Sequence, residues 1–212
     1  MFRSMIRCIA FCFCSFITSI SFAQQSDSTK KQLLLLSATE TLNTLRTYEW
    51  TMKTDISARD KKYPVLLYNV KWNKDGSMLL TEKAGAAPLP DDPAVQLVQK
   101  LAALISKYTG PTDAQLTAFY KTSGMQTDSG NMIELSGGDY MIKEDKVTMD
   151  IDKIIFMVRG LTFTTVIDED DVMGTIEYTV DNNGLKHPSK VKVDIPAKRM
   201  SVIFNNTDFV KR

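Results

Sequence analysis

Hydrophobic and polar positions alternate through the last third of the chain, from Lys146 to Asn206. Within residues 172–180, for example, the apolar Ile176 and Tyr178 flank the polar Glu177. Successive side chains of a strand point to opposite faces, so this pattern predicts strands with one buried and one solvated face. Antiparallel sheets commonly keep one face solvated, and we therefore predict an antiparallel meander.

The first third of the chain predicts a helix followed by further strands. Residues 30–46 are rich in leucine and contain no Gly or Pro, and Ser28 or Thr29 could cap a helix there. A helix lying on a membrane surface is the alternative, but it would need a strongly basic polar face, and this one carries Glu40. Strands are predicted at residues 48–56, 65–73 and 77–83, with a hairpin turn at Asn73-Lys74-Asp75-Gly76.

A pair of helices is predicted between the two blocks of strands. The proline-rich segment 84–93 has no periodic pattern and predicts a loop or a lid. Asp92-Pro93 then opens a helix that ends at Gly110-Pro111, and Thr112 caps a shorter helix that extends to Ser123.

The second block of strands begins after Gly130. Ser136-Gly137-Gly138 is expected to be a turn, with residues 140–142 as the returning strand. Residues 154–158 are apolar throughout and predict a strand that is covered on both faces. The only histidine, His187, precedes a proline beside a glycine turn and is expected on an exposed loop.

Together these elements predict an α+β fold. The expected architecture is a curved antiparallel sheet or incomplete β-barrel. Its concave face would be covered by the N-terminal helix Leu33–Leu45 and by the central helical insert Ala94–Ser123. Whether these helices seal that face or leave a cavity is the functional question.

The first residues have the pattern of a secretory signal peptide. Arg3 and Arg7 are followed by an apolar run at 8–22, and Ser21-Phe22-Ala23 fits a cleavage site. An uncleaved anchor is the alternative, although the apolar run is short for a membrane span. We predict a signal peptide at residues 1–23, a flexible tether at 24–29 and a single domain at 30–212. The mature protein is expected to be secreted, in the periplasm, and not to span the membrane.

Cleavage after residue 23 would change the chemistry available to the chain. Cys8, Cys12 and Cys14 all lie in the predicted signal, so no disulfide, thiolate metal site or cysteine nucleophile is expected afterwards. Without Arg3 and Arg7, the 26 basic and 25 acidic residues become 24 against 25. This balance provides no basic excess for a phosphate backbone, and nucleic acid is not an expected partner.

No catalytic or metal-binding constellation is evident. The acidic run Asp168–Asp171 could bind calcium, but it lacks the alternating spacing and the glycine of a calcium loop, and a solvated turn is favoured. His187 has no evident partner that would fix its tautomer. We therefore predict no catalytic residues, no metal site and no cofactor.

Aromatic and methionine residues are the more suggestive signal. Many of them fall at inward-facing strand positions, where they would form either a plain core or a partly hollow core that accepts an acyl chain. The residues predicted to contact a lipid or acyl chain are Trp50, Met52, Trp72, Phe156, Phe163 and Tyr178.

The outline of the chain resembles the periplasmic lipoprotein-carrier, or LolA-like, superfamily. The features that carry the resemblance are the Leu33–Leu45 helix leading into the strand at 48–56, the helical insert Ala94–Ser123, and the ending from Gly184 to Asn206. The resemblance implies an incomplete barrel closed by helices and a non-catalytic role in binding a hydrophobic ligand or lipid moiety. The alternative is a cell-envelope interaction protein with a solid core, no small-molecule ligand and a protein partner.

Overall fold

The computed structural model describes residues 26–59, 61–73, 77–83, 93–127 and 130–212. The predicted signal peptide and most of the proline-rich loop lie outside these ranges. The elements in chain order are α1 (Asp27–Leu45), β1 (Tyr48–Ala58), β2 (Lys61–Lys62), β3 (Leu66–Trp72), β4 (Met78–Glu82), α2 (Pro93–Thr109), α3 (Asp113–Thr122), β5 (Gly124–Thr127), β6 (Met132–Gly138), β7 (Lys146–Asp152), β8 (Met157–Ile167), β9 (Asp170–Val180), β10 (Lys186–Ile195), a 3₁₀ turn (Pro196–Lys198) and β11 (Met200–Lys211).

The strands form one antiparallel sheet in the order β4-β3-β1-β11-β10-β9-β8-β7-β6-β5, and β2 pairs with β1. The two blocks of strands meet where β1 pairs with β11, so the chain's first and last strands are neighbours. Within the described residues the sheet is open, with β4 and β5 at its edges. The predicted α+β class with an incomplete barrel is confirmed.

The predicted alternation is realised in the second block of strands. Val172, Gly174 and Ile176 of β9 are buried, and the residues between them face solvent. β7, β10 and β11 show the same pattern and contribute Met149, Val191 and further apolar side chains to the core. The helices pack against this buried face, which makes the molecule a helical layer on a one-sided sheet.

Two of the predicted helix starts are confirmed, and one is moved. α2 begins at Pro93, and Thr112 caps α3 in a capping box with Gln115, as expected. α1 begins at Asp27, three residues earlier than predicted, because Ser26 accepts a hydrogen bond from the Thr29 N–H. The predicted caps at positions 28 and 29 therefore lie inside the first turn, and residues 27–29 are helical and not a tether.

The predicted strand at 154–158 is wrong. Residues 153–156 form a turn in which Phe156 has a positive φ of 49°, and Ile154 is 64% exposed. The Asp152 carboxylate accepts hydrogen bonds from the Ile154 N–H at 2.9 Å and from the Ile155 N–H at 3.3 Å. These two bonds fix the turn. A continuous apolar run does not by itself distinguish a strand covered on both faces from an exposed turn.

The turn predicted at Ser136-Gly137-Gly138 is also wrong, because β6 continues through all three residues. Gly137 is a close-approach site, since an added Cβ would lie 3.1 Å from the Phe119 ring. The segment 140–142, predicted as a strand, belongs to the true turn. Asp145, which is 1% exposed, accepts hydrogen bonds there from the Tyr140, Met141 and Ile142 N–H groups.

His187 is buried and does not lie on an exposed loop. It belongs to β10, is 6% exposed and packs its ring 4.0 Å from that of Phe209. The neighbouring Pro188 is tolerated within the strand because the β9–β10 register shifts between Pro188 and Lys190. The histidine therefore acts as a core residue.

Candidate ligand-binding site

An apolar cavity lies where α1 crosses the sheet. Its volume is about 60 Å³, and it is closed by α1 on one side and by the α2–α3 connection on another. Leu34, Ala38 and Leu42 line it from α1, at the spacing of one helix face. The remaining lining residues are Thr41, Leu45, Tyr108, Thr109, Pro111, Leu116, Tyr120, Tyr140, Met149, Ile151, Phe156, Met157, Val158, Leu161, Tyr178 and Lys186.

Tyr108 is the rigid support of this cavity. Its ring stacks on Phe163 with centroids 4.0 Å apart and an interplanar angle of 8°. Its hydroxyl donates to Asp145 at 2.8 Å, and this bond connects α2 to the turn after β6. Burial first, and then the Asp145 carboxylate, raise the pKa of Tyr108, so its hydroxyl remains protonated. Gly174 gives the Phe163 ring its space, since an added Cβ would overlap that ring.

Three further tyrosines bring hydroxyl groups to the same cavity. Tyr120 comes from α3, Tyr140 from the turn after β6 and Tyr178 from β9. Burial raises the pKa of all three, and the nearby Tyr178 raises it further for Tyr120 and Tyr140. Among the described residues, none of these three hydroxyls has a hydrogen-bond partner. The cavity is thus apolar except for this cluster and for Lys186 and two threonines.

α1 is held over the cavity by a few polar contacts. The Ser37 hydroxyl donates to the Phe156 carbonyl at 2.8 Å, and the Lys31 ammonium donates to the Ser123 carbonyl. Arg46 donates to the Pro111 carbonyl at 3.0 Å. Of the 19 residues of α1, only Leu34 and Leu45 are fully buried. α2 has 17 residues and buries nine, so it is the more firmly packed cover.

The turn between β7 and β8 places exposed apolar side chains beside the cavity. Ile154 is 64% exposed and Ile155 is 40% exposed. This turn continues into Phe156, which lines the cavity, and Lys186 donates to the Ile155 carbonyl at 3.2 Å. Leu36 of α1 is 62% exposed but lies on the opposite face of the helix from Leu34 and Ala38.

The six predicted ligand-contact residues fall into two groups. Phe156 and Tyr178 line the cavity, and Phe163 supports it through Tyr108. Trp50 and Trp72 pack together elsewhere, with ring centroids 6.0 Å apart. Met52 is buried in β1, where it pairs with the β3 strand. The structure thus brings three of the six to one site, and their contact with a ligand stays a prediction.

Sequence reasoning missed Tyr120, Tyr140 and Lys186. Tyr120 lies in the shorter predicted helix that follows Thr112. Tyr140 lies in the segment 140–142, which was predicted to be a strand and is a turn. The α1 side of the cavity had a usable signal, because Leu34, Ala38, Leu42 and Leu45 recur at helical spacing.

A second, larger depression of about 720 Å³ lies between the β3–β4 hairpin and α2. Met78, Leu80 and Ala102 line it beside polar residues such as Glu82, Gln99 and Lys107. This mixed lining is typical of an ordinary solvated groove, so the apolar cavity is the better candidate for a hydrophobic ligand.

Two carboxylates of the acidic run Asp168–Asp171 form ion pairs with lysines. Asp168 pairs with Lys100 and Asp170 with Lys198, while Asp168 and Glu169 form the turn and β9 begins at Asp170. Within the ranges that the structure describes, no group of three or more His, Cys, Asp or Glu side chains is placed to hold a metal ion.

None of the helices in those ranges combines the length and apolarity needed to cross a bilayer.

The sequence matches no protein-family model and no curated protein. Among solved structures, the chain is similar to a LolA superfamily protein from Nitrosomonas europaea, at 18% identity and a TM-score of 0.49, covering 85% of this chain and 93% of that one. A DUF1329 family protein from Desulfovibrio piger has 12% identity and a TM-score of 0.43, with 85% and 92% covered. A putative outer membrane lipoprotein-sorting protein domain from Vibrio parahaemolyticus has 10% identity and a TM-score of 0.43, with 84% and 92% covered. These are likenesses of fold alone, and the LolA superfamily that the sequence outline resembles is among them.

Proposed function

We propose that this protein is a secreted or periplasmic, non-catalytic binding protein for a hydrophobic ligand such as a lipid acyl chain, which it holds between α1 and the sheet. The observation that carries the proposal is the lining of the cavity, in which apolar and aromatic side chains from α1, α2, α3 and three strands converge on one space. Apolar cavities with a few placed polar groups are the usual form of small-molecule sites.

The volume of the cavity decides how such a ligand could bind. An engineered apolar cavity of about 150 Å³ accepts benzene. The cavity here, at about 60 Å³, is less than half that size and cannot hold an acyl chain as it stands. Under this proposal, a ligand would have to displace one of the covering helices to enter.

α1 is the element that can move at a moderate cost. Exposing Leu34 and Leu45 would cost about 3–6 kcal/mol, at about 1.5–3 kcal/mol for each side chain. Each methylene of a ligand that replaces them contributes about 0.8 kcal/mol. A chain of roughly eight methylene groups would offset the upper estimate, so we expect binding to begin near that length.

Fluorescence of N-phenyl-1-naphthylamine tests the proposal. We expect the purified protein to bind this apolar probe, and alkanoic acids to displace it with an onset near ten carbons, the length that contains eight methylene groups. Native mass spectrometry of protein from its own host should show a co-purified lipid. If the probe does not bind and no lipid co-purifies, the proposal is wrong.

Two matched variants locate the site. Ala38→Met projects a long side chain into the cavity, whereas Ala103→Met makes the same change in the groove beside α2. Both substitutions keep a good helix former. We expect probe binding to be lost in Ala38→Met and kept in Ala103→Met, and the reverse result would move the site to the groove.

The small cavity volume also favours a second candidate, an envelope interaction protein with a solid core. Its surface would be the exposed turn residues Ile154 and Ile155. This alternative predicts no probe uptake and no co-purified lipid. It also predicts that Ile154→Ser abolishes association with an envelope protein captured by the unsubstituted protein.

A further inference from the structure

Three tyrosine hydroxyls in the cavity lack hydrogen-bond partners among the described residues. Buried polar groups are nearly always paired, and an unpaired one costs about 1–3 kcal/mol. Tyr120 is 2% exposed and Tyr140 is 5% exposed, whereas Tyr178 is only partly buried. Three such groups in one apolar space call for an occupant that accepts hydrogen bonds.

The three side chains come from separate elements and are held by packing. The Phe119 ring lies 4.6 Å from the Tyr140 ring and 6.2 Å from the Tyr120 ring, and this joins α3 to the turn after β6. Tyr140 also lies 6.3 Å from the supported ring of Tyr108. The Tyr120 and Tyr140 rings are therefore held in place before any ligand arrives, which lowers the ordering cost of binding.

We propose that the hydroxyls of Tyr120, Tyr140 and Tyr178 bind the carbonyl or carboxylate oxygens at the polar end of the acyl chain. This inference rests on the proposed function and names the chemical class of the ligand's polar group. An O–H group donates to an acceptor, and three donors match the lone pairs of a carboxylate or ester carbonyl.

The charges around the cluster agree with an acceptor. No Asp or Glu lies among the described lining residues, and Lys186 places one cation at the rim. Asp145 is the nearest buried carboxylate, and four donors already satisfy it: the Tyr108 hydroxyl and three backbone N–H groups.

Water is the competing occupant. A cavity of about 60 Å³ has room for about two water molecules, each with a share of about 30 Å³ in the liquid. Waters bridging the three hydroxyls would satisfy them without any ligand role. The test must therefore compare ligands that differ only in the polar end.

The test is displacement of N-phenyl-1-naphthylamine by decanoic acid, methyl decanoate and decane. The variants are Tyr120→Phe, Tyr140→Phe and Tyr178→Phe, which keep the ring and remove the hydroxyl. Tyr48→Phe is the control, because Tyr48 begins β1 and does not line the cavity. We expect each cavity variant to weaken the acid or the ester about tenfold, since hydrogen bonds to charged groups contribute about 1.5–3 kcal/mol and neutral ones about 1 kcal/mol. Decane should bind each variant as it binds the unsubstituted protein.

The outcomes separate the two proposals. If the unsubstituted protein does not bind the probe, the proposed function fails and this inference fails with it. If the probe binds but the phenylalanine variants lose affinity for none of the three ligands, the hydroxyls are merely hydrated and only this inference is overturned. A loss confined to decanoic acid identifies a free carboxylate, and a loss shared with the ester identifies the acyl carbonyl; both support it.

Discussion

Filling the cavity should stabilise the fold and abolish binding. Ala38 lies on the cavity side of α1, and Ala38→Val adds two methyl groups there. Two groups of roughly water size, about 30 Å³ each, match the cavity volume of about 60 Å³. This substitution therefore tests whether the space is real and whether it is the site.

The magnitude follows from the volume. At about 24 cal/mol per Å³ of cavity removed, filling about 60 Å³ contributes about 1.4 kcal/mol. Valine in a helix costs about 0.6 kcal/mol relative to alanine. The expected net change is a stabilisation of about 0.8 kcal/mol, which is small but measurable.

Ala118→Val supplies the matched control. Ala118 is exposed on α3, so the same change there carries the helix cost without any cavity to fill. We expect the control to lose about 0.6 kcal/mol, which leaves the two variants about 1.4 kcal/mol apart. For a chain of this size that difference corresponds to about 3–6 °C in Tm.

Urea denaturation and thermal melting measure the stability, and probe fluorescence measures the binding. If Ala38→Val is as destabilised as Ala118→Val, the space under α1 is not a fillable cavity. If it is stabilised and still binds the probe with unchanged affinity, the cavity exists but is not the binding site. Either result would refute the reasoning that connects the cavity to the function.

Three further changes test the supports of the site. Gly174→Ala should cost about 1–3 kcal/mol in chemical denaturation, because the new Cβ overlaps the Phe163 ring; adding Phe163→Leu should recover part of the loss, and no recovery would contradict the overlap. Tyr108→Phe should cost about 1–3 kcal/mol because it leaves the buried Asp145 with one donor fewer, whereas Tyr120→Phe, whose hydroxyl has no described partner, should cost much less; equal losses would count against this assignment. Desolvation alone would raise the pKa of Asp152. The hydrogen bonds from the Ile154 N–H and from Arg159 lower it by more, so the net shift is downward. Its contribution is therefore present above pH about 4 and lost as the pH falls through the lowered value. The hydrogen-exchange protection of residues 153–156, corrected for the intrinsic exchange rate, should fall in acid, and Asp152→Asn should remove that dependence.

The sheet was largely predictable because period-two alternation is a direct consequence of a one-sided sheet. The alternation predicted from Lys146 to Asn206 is observed as strands β7 to β11, and Ile176 is buried as expected. The failures occurred where tertiary packing decides. Gly137 was interpreted as a turn residue, but it is a glycine in a strand because Phe119, distant in sequence, lies against it.

The candidate site was predicted only in part, for a related reason. Phe156 and Tyr178 were selected as aromatic residues at inward strand positions, although Phe156 reaches the cavity from a turn. Tyr140 depends on the turn that Asp145 organises, and no alternation records such a turn. The convergence of α3, this turn and β9 is a property of the folded chain and leaves no local pattern.

The two helical covers of the sheet differ in a way that bears on how the site would open. α2 places apolar residues on one face and buries nine residues, eight of them apolar, so it forms a firmly packed part of the core. α1 carries four consecutive leucines, 33–36, which cannot all share one face; Leu34 is buried while Leu33 and Leu36 remain exposed. A helix with apolar residues on its outer side gains less from the closed position and can exchange contacts with a ligand. Under the proposed function we therefore expect α1, rather than α2, to move when a ligand enters.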